Sequence, residues 1–235
     1  MRIAIVSDIH GNRTAFEAVL TDLRETSPDL IFHGGDIAQG GSSPVEVLDQ
    51  IRDLGWPGVA GNADEFLPMP ETLEVFASET PAIQPMLPMI REMGAATRKA
   101  LGDERLGWLR ALPRTQVHGD IALVHASPGS VWKSPLHNAT DAEIESIYSP
   151  LGRRIVVYGH IHHPFIRTVA NITVVNSGSV SMSFDGDPRA SYLLIDDSVP
   201  SIRRVEYDLD CELKLLSTCG LPHSDWVAKM LIGRQ

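Results

Sequence analysis

Five times along the chain a short apolar run ends in a loop that combines glycine with a residue able to ligate a metal. The blocks are Asp8-Ile9-His10-Gly11-Asn12, Gly34-Gly35-Asp36, Gly61-Asn62-Ala63-Asp64, His125, and Gly159-His160-Ile161-His162. In an open α/β sheet the carboxyl ends of the strands converge on one crevice, so blocks spread over about 150 residues meet in space when each follows a strand. Taken singly, a histidine after an apolar run is ordinarily a packing residue, and a lone His-x-His is weak evidence for metal. Five such blocks in one chain predict a metal site.

The intervening sequence supports that architecture. Apolar runs at Arg2 to Val6, Leu30 to Phe32 and Val59 alternate with amphipathic segments at Ala15 to Leu23 and Val45 to Leu54, a βαβαβ pattern. Thr14 followed by Glu17 matches a capping box for the first helix, which Pro28 ends. Ser43, Pro44 and Glu46 suit the cap, first and third positions of the second helix, with Gly55 just past its end. From Asp64 to about Pro113 the chain becomes proline-punctuated and rich in methionine, with helical spacing at Leu106, Leu109 and Leu112. This stretch reads as a helical insertion, either a lid that shapes the substrate site or ordinary packing with adaptable side chains. Next come a strand ending at His125, a helix from Asp141 to Ile147 capped by Thr140 with Glu143, and a strand Ile155 to Tyr158. Val169 to Val175 holds a hairpin or two short strands, and Ser191 to Ile195 another. Val205, Tyr207 and Leu209 alternate as a half-buried strand does, and a helix from Ser224 closes the chain.

Composition narrows the classes. A chain of 235 residues, 43% hydrophobic and 21% charged, buries one large core more readily than two small ones, so residues 1–235 read as a single domain. The formal charge of −10 argues against nonspecific nucleic acid binding, which needs a basic surface. It leaves room for a phosphorylated substrate, because bound metal makes a cleft locally positive whatever the net charge. The chain opens on the apolar run Ile3 to Val6 without a basic leader, and no run reaches the length of a membrane span, which predicts a cytoplasmic protein with no membrane partner. Cys211 and Cys219 fit no zinc or redox pattern and are expected to be free, buried thiols. No Gly-x-Gly-x-x-Gly run is present, which argues against dinucleotide binding.

In the order Asp-x-His, Gly-Asp, Gly-Asn-x-Asp, His, Gly-His-x-His, the blocks resemble the calcineurin-like metallophosphoesterase superfamily over nearly the whole chain. Asn176-Ser177-Gly178-Ser179-Val180 is similar to the Asn-Pro-Gly-Ser-Val stretch of its small bacterial phosphodiesterase branch, with serine in place of proline. The resemblance implies a four-layer αββα sandwich, two mixed sheets face to face with helices outside. It also implies two divalent metal ions. Asp8, His10, Asp36 and His162 would hold one, and Asp36, Asn62, His125 and His160 the other, with Asp36 bridging. With both aspartates ionised and the histidines neutral, two dications leave the ligand shell at about +2, or about +1 with a bridging hydroxide. Mixed imidazole and oxygen ligation suits manganese, iron, nickel, cobalt or zinc better than calcium.

One departure bears on substrate. Many members of the superfamily carry histidine after the asparagine, where it protonates the leaving oxygen; Ala63 cannot do so. General acid catalysis commonly contributes about 10² to 10⁴ in rate, so poor alkoxide leaving groups should suffer most. The expected activity is therefore metal-dependent hydrolysis of a phosphorylated small molecule or nucleotide, toward phosphodiesters, anhydrides and aryl esters. A phosphomonoesterase acting on nucleotides or proteins, and a non-catalytic scaffold on the same fold, are the alternatives. Asp36, Asn62 and His125 would serve catalysis by positioning metal and phosphate.

The flanking residues are more ambiguous. Asn12 is either a phosphate contact or a turn and helix-entry residue, and Arg13 is a candidate substitute for the flanking arginines of protein phosphatases. Asp64 either orients a ligating histidine or begins the next helix. His33 and His163 adjoin ligands and are either substrate contacts or structural residues, since neighbours on a strand point to opposite faces. His118, His137 and His223 fit no motif.

Overall fold

The computed structural model describes residues 1–233. Two mixed sheets form its centre. The first has strand order β2-β1-β8-β9, built from β1 (Arg2–Val6), β2 (Leu30–His33), β8 (Ala190–Asp196) and β9 (Val199–Val205). The second has order β3-β4-β5-β7-β6, from β3 (Thr115–His118), β4 (Ile121–Val124), β5 (Ile155–Tyr158), β6 (Phe165–Val169) and β7 (Ile172–Asn176). β1 pairs parallel to β2, and β4, β5 and β7 run parallel to one another; the other pairings are antiparallel.

The two-residue period of the strands explains the layering. Ile3, Ile5, Leu193 and Ile195 of one sheet face Leu123, Ile155, Val157 and Val175 of the other, forming the core between the sheets. The alternate residues Ala4, Val6, Tyr192 and Leu194 pack outward against Phe16, Val19, Val47, Leu48 and Ile51 of helices α1 (Arg13–Thr26) and α2 (Pro44–Leu54). On the opposite side Ala122, Val124, Val156, Tyr158 and Val174 meet Ile144 and Tyr148 of α6 (Asp141–Tyr148). Strands buried on both faces read as continuous apolar runs, as Ile155 to Tyr158 does. Each fully buried Ile, Leu or Phe stabilises the fold by about 1.5–3 kcal/mol. The arrangement is the expected αββα sandwich of two mixed sheets.

Between β2 and β3 lie α3 (Asn62–Phe66), α4 (Glu71–Glu79) and α5 (Leu87–Arg110), the last broken at Gly102. After β9 come α7 (Leu209–Thr218) and α8 (Ser224–Leu231). No helix among the described residues is long and apolar enough to cross a membrane.

Several local expectations need correction. The first helix is capped by Asn12, whose side-chain oxygen accepts from the Ala15 N–H at 2.9 Å; Thr14 instead donates to Glu212 at 2.8 Å. Val59 belongs to no extended strand; only an isolated parallel bridge joins His33 to Gly58. The proposed strand through Val205, Tyr207 and Leu209 ends at Val205, because Asp208 caps α7 by accepting from the Cys211 N–H at 2.9 Å. The two cysteines are free, as expected, but Cys211 is exposed and Cys219 only half-buried.

Candidate metal centre

Every ligand-bearing block follows the carboxyl end of a strand or, at Asn62, of the segment bridged to β2. Asp8 and His10 follow β1, Asp36 follows β2, His125 follows β4, and His160 and His162 follow β5. These strand ends are parallel within each sheet, so the loops meet at one edge of the sandwich. Five of the seven candidate ligands, Asp8, His10, Asp36, His160 and His162, have left-handed backbone with φ between 50° and 64°. Non-glycine residues rarely adopt this conformation, and such strain gathers at functional sites.

The seven side chains converge. His162 Nε2 lies 3.1 Å from Asp8 Oδ1 and 3.2 Å from His10 Nε2. Asp36 spans the cluster, with Oδ2 3.6 Å from His10 Nε2 and Oδ1 3.6 Å from His125 Nε2. Asn62 Oδ1 lies 3.1 Å from His125 Nε2 and 2.9 Å from His160 Nδ1. Two groups of possible ligand atoms, Asp8 with His10 and His162, and Asp8 with Asp36 and His125, each lie within 4.8 Å of one another.

The chemistry of these contacts fits cations. Nδ1 of His10, His125 and His162 faces the backbone carbonyls of Gln39 (2.7 Å), Gly34 (2.8 Å) and Met182 (2.7 Å). A carbonyl only accepts, so each Nδ1 carries a proton, and in the neutral rings that ligate metal each Nε2 presents a lone pair. Lone pairs of His10 and His162 therefore point at each other and at the Asp8 carboxylate, and that of His125 points at the Asn62 oxygen. Buried acceptors facing one another repel unless a cation lies among them.

Burial alone would raise the Asp8 carboxyl, but the facing His162 ring, in its protonated form, holds it below the usual carboxylate range. Burial lowers His10 against the pull of Asp36, and burial with the neighbouring His125 ring takes His160 down to about 4. His125 is raised: burial opposes protonation, but the Asp36 and Asp8 carboxylates prevail. With the rings neutral, the buried Asp8 and Asp36 carboxylates leave negative charge that divalent cations would neutralise.

Supporting groups fix the loops. Asp64 is fully buried and accepts from the Asp36 N–H at 2.7 Å, the Ile37 N–H at 3.1 Å and the Gly61 N–H at 3.0 Å. It contacts backbone rather than a histidine, and burial together with Asp36 pushes its carboxyl up to about 6. The Ala63 N–H donates to Asp36 Oδ1 at 2.8 Å. A Cβ on Gly61 would collide with that same oxygen, and one on Gly159 with Asp8 Oδ2 and Ser7 Oγ, so glycine permits both close approaches.

Sequence reasoning missed Ser179, whose hydroxyl donates to the Asp8 carbonyl at 2.8 Å and accepts from Ser181 and Met182 N–H. The Asn-Ser-Gly-Ser-Val stretch carried the signal. Gln39 and Met182 act through backbone carbonyls, which leave no mark in side-chain identity.

Asn12 does not sit at a rim. It is fully buried, with its oxygen on Ala15 and its nitrogen 3.3 Å from Ser181 Oγ, leaving neither amide atom for phosphate. Arg13 is exposed and donates to Glu17 at 2.6 Å. His163 stacks on His137 with centroids 3.9 Å apart. His33 is buried beside Trp108 with no partner for either ring nitrogen.

A buried Asp/His centre at the strand ends of a two-sheet α/β sandwich defines a metal-dependent phosphoesterase. The calcineurin-like phosphoesterase superfamily domain matches residues 1–198, and the chain belongs to that family. An uncharacterized protein of Methanocaldococcus jannaschii is 30% identical over 99% of this chain and 98% of its own length. A symmetrical bis(5′-nucleosyl)-tetraphosphatase of Pectobacterium carotovorum is 30% identical over 63% of this chain and 51% of its own. A probable cyclic nucleotide phosphodiesterase of Synechococcus is 26% identical over 72% of this chain and 71% of its own. The metallophosphoesterase from Sphaerobacter thermophilus superposes over the whole of both chains with a TM-score of 0.80 at 26% identity.

Proposed function

We propose that the centre holds two divalent cations and hydrolyses phosphodiesters, with nucleotides as the substrate class. Asp8, His10, Asp36 and His162 would hold one cation, and Asp36, Asn62, His125 and His160 the other. The observation that carries this reading is Asp36, whose two oxygens reach toward His10 on one side and His125 on the other. When bound, such a pair supplies hydroxide near neutral pH and electrophilic contacts for the phosphoryl oxygens. Manganese, iron, nickel, cobalt or zinc suits the ligands.

The chain's own residues set the preference. Ala63 is 2% exposed and packs in the core beside Phe66, so no side chain at that position can protonate a leaving oxygen. Among the described residues no Arg or Lys bonds to any of the seven side chains. A site of about +1 balances the single charge of a diester better than the double charge of a monoester. The names of the Synechococcus and Pectobacterium relatives favour nucleotide diesters and anhydrides. A cytoplasmic setting, and a shaping role for the inserted helices within a single domain, belong to the same reading.

The test is hydrolysis of an aryl phosphodiester beside the matching monoester, using chelator-stripped protein titrated with manganese. Metal-dependent diester preference that is lost in Asp36→Asn is expected. Monoester preference would overturn the reading of Ala63, and turnover unchanged in Asp36→Asn would overturn the site.

A further inference from the structure

Between α4 and the loop that follows His125 lies a cleft of about 490 Å³. Two of its lining residues, Glu65 and Trp132, stand a few residues along the chain from candidate ligands. Glu65 stands three residues after Asn62 on α3, and side chains at that spacing share a helix face. Trp132 sits seven residues beyond His125, and its indole N–H donates to Glu65 Oε2 at 2.6 Å. Glu65 also pairs with Arg114. Arg114 precedes β3, whose Thr115 pairs with Val124 next to His125, so the cleft opens at the same edge of the sheet as the candidate ligands.

Its lining is aromatic. The rings of Phe76 and Trp132 stack with centroids 4.8 Å apart and planes 26° from parallel. Val75 beside them is 60% exposed. The charged residues around them are Glu65, Glu71, Glu79, Arg114 and Lys133, three carboxylates against two cations. Lys133 is held by Glu79 at 2.8 Å, and Glu71 has no ionic partner among the described residues. Such a cleft has no surplus positive charge for a phosphate. It offers flat apolar surface with the Glu71 carboxylate free at the edge, the complement of a planar ring that carries an amino group.

We infer that this cleft binds the organic group of the phosphoester as an amino-bearing nucleobase laid against the Phe76–Trp132 pair. This rests on the phosphodiesterase reading and adds a specificity site formed in part by the inserted helix α4. Phe76 and Val75 act on the choice of substrate, away from the reacting atoms.

The test compares two diesters with the same p-nitrophenyl leaving group, adenosine 5′-(p-nitrophenyl phosphate) and methyl p-nitrophenyl phosphate, in manganese-loaded protein. The ratio of their kcat/KM values should favour the nucleoside in wild type and fall about tenfold to a hundredfold in Phe76→Ala, the size of one lost base stack. Val75→Glu, at an exposed position that does not threaten the fold, should lower the same ratio. An unchanged ratio in Val75→Glu overturns the inference even if Phe76→Ala proves misfolded. Adenosine titrated onto metal-free protein provides a readout independent of hydrolysis. Quenching of tryptophan fluorescence that weakens at least fivefold in Val75→Glu supports the cleft, and absence of quenching overturns it. If adenosine binds but neither diester is cleaved, the phosphodiesterase reading fails while the base site stands.

Discussion

His10 Nε2 and His162 Nε2 lie 3.2 Å apart, while the opposite nitrogen of each ring is fixed by a backbone carbonyl, Gln39 for one and Met182 for the other. Two lone pairs are thereby held face to face next to the Asp8 carboxylate. The fold maintains this arrangement through the strands that place the loops, at the cost of left-handed backbone at both histidines. A cation relieves the repulsion, so ligand binding and stability are linked.

Manganese added to chelator-stripped protein at about a hundredfold above Kd should therefore raise Tm by about 5 to 10 °C. His162→Ala, which removes one lone pair and opens the cluster, should lose most of that shift. Thermal melts with and without metal measure both.

Asp64 satisfies three buried N–H groups from two separate loops. Asp64→Ala leaves them without an acceptor and should destabilise the protein by at least about 3 kcal/mol, while loosening Asp36. Urea denaturation at neutral pH gives the first effect, and the apparent manganese Kd the second.

Gly61→Ala places a Cβ onto the Asp36 oxygen that accepts from Ala63. The Asp36 carboxylate, proposed to bridge the cations, must move, and manganese affinity should fall at least about tenfold with little change in secondary structure. Calorimetric titration beside circular dichroism separates the two.

The candidate ligand blocks were legible because metal chemistry restricts such residues to a few types behind apolar runs, and α2 and α6 were legible from Ser43-Pro44 and Thr140. Elsewhere local signals competed. Thr14 and Glu17 have capping-box spacing, yet Asn12 reaches Ala15 first and Thr14 turns to Glu212, a partner 198 residues away. Val205, Tyr207 and Leu209 alternate only because a strand end, a link and a helix start fall in succession; Asp208 was the stop signal. The Phe76–Trp132 contact joins α4 to a loop more than fifty residues later, and periodicity carries no information about such a contact.

His33 makes a pH dependence independent of the ligands. Burial without a partner lowers its pKa from 6.5 to about 4. The unfolded chain then binds more protons than the native one between those values, so stability is complete above about 6.5 and falls as pH drops toward 4. Between pH 7 and pH 5 this histidine should account for about 2 kcal/mol of lost stability. His33→Phe, which keeps a ring against Trp108, should show a smaller difference in urea midpoint between the two pH values. An equal difference would remove His33 from the account.

The two-cation centre bridged by Asp36 is tested most directly by crystals grown with manganese and an anomalous difference map. The account predicts two peaks about 3.5–4 Å apart on either side of Asp36, one near Asp8, His10 and His162 and one near Asn62, His125 and His160. A single peak, or two that leave Asp36 unligated, would contradict it.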